Sequence, residues 1–437
     1  MAARAQNATP NWSRARRRPP FGLPRKAGRR RLDCRRPGFS VPRKAWGRRS
    51  AAGEDDVTRS GPLAGVTIVE FQGLGPGPFC AMMLADLGAD VIRIDRAGSA
   101  AWNAGDALGR GRRSVAVDLK KPGAADLVLK ILEGADALLE GFRPGVMERL
   151  GLGPDVCLKA NPRLVYGRMT GWGQDGPYGP APGHDINYLA LSGMLWPLGP
   201  ADRPPVPPLN LAADFGGGGM MLALGMVAAL YSAKSSGRGQ VVDAAMVDGA
   251  AVLGTMIFGM INAGTWKVAR EANMLDGGAP FYGVYDTADG KYVSIGSLEP
   301  QFYAELLKGL NLTDPRFAKQ WDKAMWPDLR EAIAATFRSK TRDEWTALLD
   351  GREICYAPVL DPLEAAAHPH NVARGTFVQT PEGPMPKPAP RFSGTPTEAA
   401  PAARGPGAET RAVLAAAGLS PTDIDAAFAS GLVAERT

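Results

Sequence analysis

Histidine and cysteine are both scarce, and their spacing argues against two classes of site. The chain of 437 residues has three histidines (His184, His368 and His370) and four cysteines (Cys34, Cys80, Cys157 and Cys355). No two cysteines form a CxxC pair, and the histidines complete no zinc-ligand spacing with them. Neither a disulfide framework nor a structural metal is expected, which suits a reducing compartment, and the expected location is cytoplasmic. Long apolar runs are missing as well. No stretch reaches the roughly 20 residues a membrane span needs. The best, 250–261, is interrupted by Gly254, Thr255 and Gly259 and reads as a buried helix. Acidic residues are nearly absent from the first 53 positions, which hold sixteen Lys or Arg against Asp33 alone. That segment produces the net charge of +7, since the remaining 384 residues carry 35 bases and 43 acids, a net of −8. The basic isoelectric point therefore says little about what the folded part binds, and neither nucleic acid nor a membrane is an expected partner.

Residues 1–60 are rich in Arg, Pro and Gly and show no apolar periodicity. Clusters such as Arg16-Arg17-Arg18 and Arg29-Arg30-Arg31 repel one another and cannot build a core, so a disordered extension is the first reading. An Arg-rich, acid-poor organelle address and a phosphate-binding arm are the competing ones.

From Gly61 the pattern changes. Val66–Val69 reads as a strand, followed by Gly73, Gly75 and Gly77, an apolar helical stretch from Phe79 to Leu87, and a second strand from Ala89 to Ile94. Strand, glycine turn, helix and strand within about 30 residues make a βαβ unit. The pattern continues with a strand at 114–117, a helix at 124–132 and strands at 137–139 and 164–166, which predicts a doubly wound, Rossmann-like α/β domain over 61–280. The glycine turn lacks the GxGxxG register of a dinucleotide site and reads as a tight strand-to-helix connection. A strand–turn–strand unit at 283–295 and helices near 301–307, 329–337 and 342–349 predict a smaller α+β domain over 281–375. A Pro-rich segment and two helices, 409–417 and 421–428, close the chain.

Three acid–base candidates sit on turns beside Gly or Pro: His184 in Pro-Gly-His-Asp, Asp214 before Gly216–Gly219, and Glu299 before Pro300. Each has a plain structural alternative. His184 reads equally as a loop residue, Asp214 as the N-cap of a helix over 220–231, and Glu299 as a surface carboxylate. Met194, Met220, Met221 and Met246 fit a tolerant acyl surface or, more plainly, a Met-rich core.

Longer motifs tie these residues together. Pro62-Leu63-Ala64-Gly65-Val66, Gly75-Pro76-Gly77-Pro78-Phe79-Cys80-Ala81, Leu84-Ala85-Asp86-Leu87-Gly88-Ala89-Asp90-Val91, Glu140-Gly141-Phe142-Arg143-Pro144-Gly145 and Tyr166-Gly167-Arg168-Met169-Thr170-Gly171-Trp172-Gly173-Gln174 follow in order. Over residues 61 to the end the chain resembles the family III CoA-transferase and α-methylacyl-CoA racemase superfamily. The racemase branch carries a histidine in the Gly-His-Asp motif and a catalytic aspartate at the spacing of Asp214. The transferase branch keeps the aspartate, as a nucleophile, and often has tyrosine in place of the histidine.

The resemblance therefore implies interconversion of (R)- and (S)-2-methylacyl-CoA by His184, paired with Glu299, and Asp214. A CoA-transferase forming an anhydride on Asp214 is the alternative. The resemblance also implies CoA contacts from Arg96, Lys120, Gly141, Phe142, Arg143 and Arg149. Gly183, Asp185, Tyr188 and Asn210 flank the bases and order the pocket. No cofactor is expected, because CoA is part of the substrate. An interlocked homodimer is implied, with residues 376–437 returning to the large domain and Glu299 at the interface.

Overall fold

The computed structural model describes residues 59–97 and 107–435. The basic extension read over 1–60 lies outside them except for Arg59 and Ser60. Arg59 is already docked: its guanidinium donates to the Ala89 carbonyl at 2.7 Å and approaches Asp90 at 3.6 Å.

A seven-stranded sheet organises the larger part of the fold. It comprises β1 (Thr67–Phe71), β2 (Asp90–Arg96), β3 (Arg112–Val117), β4 (Ala137–Glu140), β5 (Val165–Thr170) and β6 (Gln240–Ala245), all parallel, in the spatial order β3-β2-β1-β4-β5-β6. The order in which strands are added to the sheet reverses between β1 and β4, which makes the gap beyond their carboxyl ends the topological switch point. Residues 68–71 and 91–95 are buried on both faces, as parallel strands under two helix layers require. Val69, Phe71, Ile92 and Ile94 face one core, closed by α2 (Ala124–Leu132), α4 (Pro154–Ala160) and the two C-terminal helices Thr410–Ala416 and Pro421–Ala429. Ile68, Val91 and Leu139 face the other, closed by α1 (Pro76–Asp86), α6 (Met221–Ser236) and α7 (Met246–Leu253). The last strand (Val433–Ala434) pairs antiparallel with β3 and caps that edge.

A third core surrounds three antiparallel strands, β7 (Tyr282–Asp286), β8 (Tyr292–Gly296) and β9 (Tyr356–Val359), with α9 (Pro300–Gly309), α10 (Trp326–Phe337) and α11 (Arg342–Leu349) packed on them. Their aromatic residues interlock: Phe281 meets Tyr303 and Trp326 edge to face, and Phe337 meets Trp345 likewise.

Three sequence expectations need correction. The helix expected from residue 220 starts earlier, as a π-helix over Leu211–Met220 that runs straight into α6, so Asp214 lies in its first turn and is not a cap. Gly216–Gly219 are helical despite glycine's low helix propensity, and their neighbours leave no room for side chains. A Cβ on Gly217 would sit 2.6 Å from the Ala250 amide, and one on Gly219 2.8 Å from the Pro76 carbonyl. Secondly, the stretch 250–261 is not one buried helix. It is split between α7 and α8 (Thr255–Asn262), and α8 has no buried residue. Thirdly, an apolar element longer than the sequence suggested does exist. Among the described residues the helix Leu211–Ser236, 26 residues long, could cross a membrane by length and composition. Here its second half, α6, packs on β5 and β6.

Candidate active site

The carboxyl ends of β1, β4 and β5 open into a cavity of about 480 Å³ at the switch point. Its walls come from the turn 73–78, the segment 141–144 after β4, residues 169–172 at the end of β5, and the loop 181–184, with Tyr188, Asp214 and Met246 among the residues completing them. Of the residues singled out in the sequence, Gly141, Phe142, Arg143, Gly183, His184, Tyr188 and Asp214 meet here.

His184 is the residue before α5 (Asp185–Leu191), and its own amide donates to Asn187 Oδ1 at 3.1 Å, which fixes the loop-to-helix turn. Tyr188, one turn later, is buried, donates its hydroxyl to the Gly183 carbonyl and lies edge-on to Trp172 at 4.7 Å between ring centres. The absence of a side chain at Gly171 and Gly183 makes room for that tyrosine, since a Cβ at either position would run into its ring.

Asp214 is half-buried, and Phe215 beside it stacks on Phe79 of α1 with ring centres 4.4 Å apart. The stack and the glycine contacts bring the carboxyl against the turn before α1. A Cβ on Gly75 would lie 3.3 Å from Asp214 Oδ2, so glycine there keeps the carboxyl open to the cavity. Gly75 also has a φ of 66°, a left-handed conformation that favours glycine. The turn is a poor phosphate cradle, because Pro76 and Pro78 remove two amides from the start of the helix.

Burial pushes the Asp214 carboxyl up to about 6, and the nearby Asp185 carboxylate adds to the effect. The charge of His184 and a hydrogen bond from Asn210 act in the opposite direction. A carboxyl poised near neutrality, facing an imidazole in the same cavity, can both take and give a proton.

The segment bearing Arg143 is braced from below. Glu140 accepts from the Phe142 amide at 2.7 Å and from Arg168 Nε at 2.9 Å, while Arg168 also donates to Glu148 at 2.8 Å. Asp185 and Asn210 do not line the cavity. Both act on Asp214 instead, Asp185 through the backbone and Asn210 through the side chain. Arg96, Lys120 and Arg149 are exposed and lie outside the cavity lining. Arg96 ends β2, Lys120 follows β3, and Arg149 in α3 (Val146–Arg149) folds back towards Gly145.

Glu299 is not brought to His184 within this chain. It is exposed, occupies the N-cap position of α9 without a side-chain capping hydrogen bond, and is absent from the cavity wall. Sequence reasoning had assigned no site role to Gly75 or Trp172, and had offered Met246 as part of an acyl surface or, more plainly, of a Met-rich core. Gly75 and Trp172 belong to motifs that were visible, but the proximity of Gly75 to Asp214 is a tertiary contact without a local signal. Of the four methionines, the buried Met246 reaches the cavity, whereas Met220 is exposed.

The Asp214 shift has a consequence for stability. An unfolded aspartate titrates near 3.9, so below about pH 4 both states hold the proton and the shift contributes nothing. Above about pH 6 the folded chain carries a charge that its surroundings disfavour. Asp214→Asn is therefore expected to raise the melting temperature by roughly 2–4 °C near pH 8, with the gain shrinking to nothing near pH 4. Thermal melts across that range check it, and a gain independent of pH would contradict it.

The model of CoA-transferase family III matches residues 63–410. The chain is 49% identical over 335 residues to the alpha-methylacyl-CoA racemase of Mus musculus, covering 76% of this chain and 87% of the relative. It is 47% identical to the alpha-methylacyl-CoA racemase of Homo sapiens with the same coverage. A CAIB/BAIF family protein from Brucella suis superposes with a TM-score of 0.70 at 25% identity, covering 82% of this chain and 100% of that one. With the parallel sheet, the switch-point cavity and these likenesses in agreement, the chain belongs to CoA-transferase family III.

Proposed function

We propose that the protein is an α-methylacyl-CoA racemase, interconverting (R)- and (S)-2-methylacyl-CoA thioesters. The observation that carries this reading is Asp214, half-buried, with its carboxyl raised to about 6 and His184 beside it in one cavity. Relatives at 49% and 47% identity carry that activity in their names.

A proton beside a thioester carbonyl is only weakly acidic, so removal by a base needs simultaneous stabilisation of the enolate. In one direction Asp214 takes the proton, the C–H electron pair enters the enolate, and His184 delivers a proton to the opposite face of the planar carbon. The other direction exchanges the roles. General acid–base help of this kind is worth about 10²–10⁴-fold. Backbone N–H groups in the first turn of α5, next to His184, are suited to hold the enolate oxygen, and one such donor is worth about 10²–10³-fold. The chemistry draws on side chains and amides, with CoA as part of the substrate. Arg143 in the cavity, and Arg96, Lys120 and Arg149 along the same carboxyl edge of the sheet, are the proposed contacts for the CoA phosphates.

The working unit in this reading is an interlocked homodimer. Residues 61–280 and 376–437 would build the large domain and 281–375 the small one, with Glu299 of the partner subunit orienting His184. Two observations favour it. Glu299 has no contact with the cavity of its own chain, and the apolar residues Val252, Leu253, Met256 and Phe258 on α7 and α8 are exposed. A second copy covering that face would remove it from water.

Incubating a single enantiomer of a 2-methylacyl-CoA in deuterated water tests the activity. Deuterium incorporation with loss of optical purity is expected, with inversion reduced about 10²–10⁴-fold in His184→Ala. No exchange, but CoA transfer once a carboxylic acid is added, would make Asp214 a nucleophile and the protein a CoA-transferase. Mixing inactive His184→Ala and Glu299→Ala chains tests the dimer. If each site takes its glutamate from the other subunit, scrambled dimers regain about a quarter of wild-type activity, whereas a glutamate acting within its own chain gives no recovery.

A further inference from the structure

Asp185, the first residue of α5, is 6% exposed and does not line the cavity. Its Oδ2 accepts from the backbone N–H of Ala213 at 2.8 Å and of Asp214 at 2.7 Å. Its Oδ1 is buried and has no hydrogen-bond partner. Burying a carboxylate with one oxygen unsatisfied costs stability, and two accepted amides alone would be met equally well by a neutral oxygen. The charge has a target close by, the Asp214 carboxyl.

We propose that Asp185 is a positioning residue for proton transfer, clamping the 213–214 backbone so that the Asp214 carboxyl faces the cavity and stationing a second negative charge behind it. It touches no substrate and acts through Asp214. The other groups around Asp214 leave that role to Asp185. From the start of α5 come His184, just before it, and Tyr188 within it; from the segment after β4 comes Arg143, which faces Tyr188. The turn Gly75–Phe79 and the facing residues Met246, Gly249 and Ala250 of α7 bring no titratable side chain. Asn210, on the same element as Asp214, hydrogen-bonds it and is neutral. The raised carboxyl of Asp214 accords with this arrangement, burial being the larger cause and Asp185 the next. The kinetic consequence rests on the racemase reading, whereas the electrostatic one does not.

Asp185→Asn keeps an oxygen for the two amides and removes the charge. In the direction in which Asp214 takes the proton, the acidic limb of kcat/KM is expected to move down by about 0.5–1 pH unit, with KM changed less than about twofold. Asp185→Ala loses the clamp as well and is expected to lower kcat at least about tenfold. The same shift is read without turnover from the carboxyl C=O stretch of Asp214 in the infrared, assigned by its loss in Asp214→Asn and titrated in the full chain. Asp185→Ser, uncharged and still an acceptor, serves as the second variant should Asp185→Asn fold poorly. An infrared midpoint that stays in place in the uncharged variants overturns the proposal. A wild-type chain that shows no exchange at the α-carbon defeats the racemase reading and leaves the infrared comparison standing.

Discussion

A backbone-to-backbone contact between two helices decides where Asp214 can sit. Gly217 in the π-helix and Gly249 in α7 approach so closely that a Cβ on Gly249 would overlap the Gly217 carbonyl. On the adjoining side Gly219 lies against Pro76 and Phe79 of α1. Only glycine permits contact at that range, and the approach sets the helix axis against both the sheet and the turn at 73–78. The Phe79–Phe215 stack then fixes rotation about that axis. Asp214 arrives beside Gly75, at the switch point of the sheet, because of packing that involves no catalytic atom.

Electrostatics follows from that placement. Asp214 is withdrawn from water far enough to favour its neutral form, yet it opens onto a cavity that a substrate can enter. Asp185 behind it and His184 in front of it pull the carboxyl in opposite directions. Around this centre the buried polar groups are largely structural. The Glu140–Arg168–Glu148 brace supports the Arg143 segment, and the wholly buried Arg112–Glu70 pair sends a further N–H to the Pro78 carbonyl, stiffening the first turn of α1. An ion pair buried this deeply contributes little net stability. Its effect here is to hold one wall of the cavity.

The parallel sheet was legible because strands buried on both faces announce themselves as β-branched runs, as at 66–69 and 91–94. The strands at 240–245 and 356–359 were not, since the first lies at an exposed edge of the sheet and has only two β-branched residues, and the second carries Pro358. Gly216–Gly219 misled for a different reason. Four glycines are a local signal for a break, and tertiary packing overrides it. The stretch at 250–261 was recognised as apolar, but composition cannot distinguish a face buried in its own core from one left exposed. At the site, isolated chemistry offered three unremarkable turn residues. His184 and Asp214 gained their meaning from the family motifs, and the structure brings the two into one cavity. Glu299 remains apart, which the single chain cannot change and a second copy could.

The central claim is that two bases serve opposite faces of one carbon, and single-base variants test it most directly. Each enantiomer of a 2-methylacyl-CoA would be incubated separately in deuterated water with His184→Ala and with Asp214→Ala. The account predicts that each variant exchanges the α-proton of only one enantiomer, without inversion, and that the two variants choose opposite enantiomers. Exchange of the same enantiomer by both, or of both enantiomers by either, would contradict it.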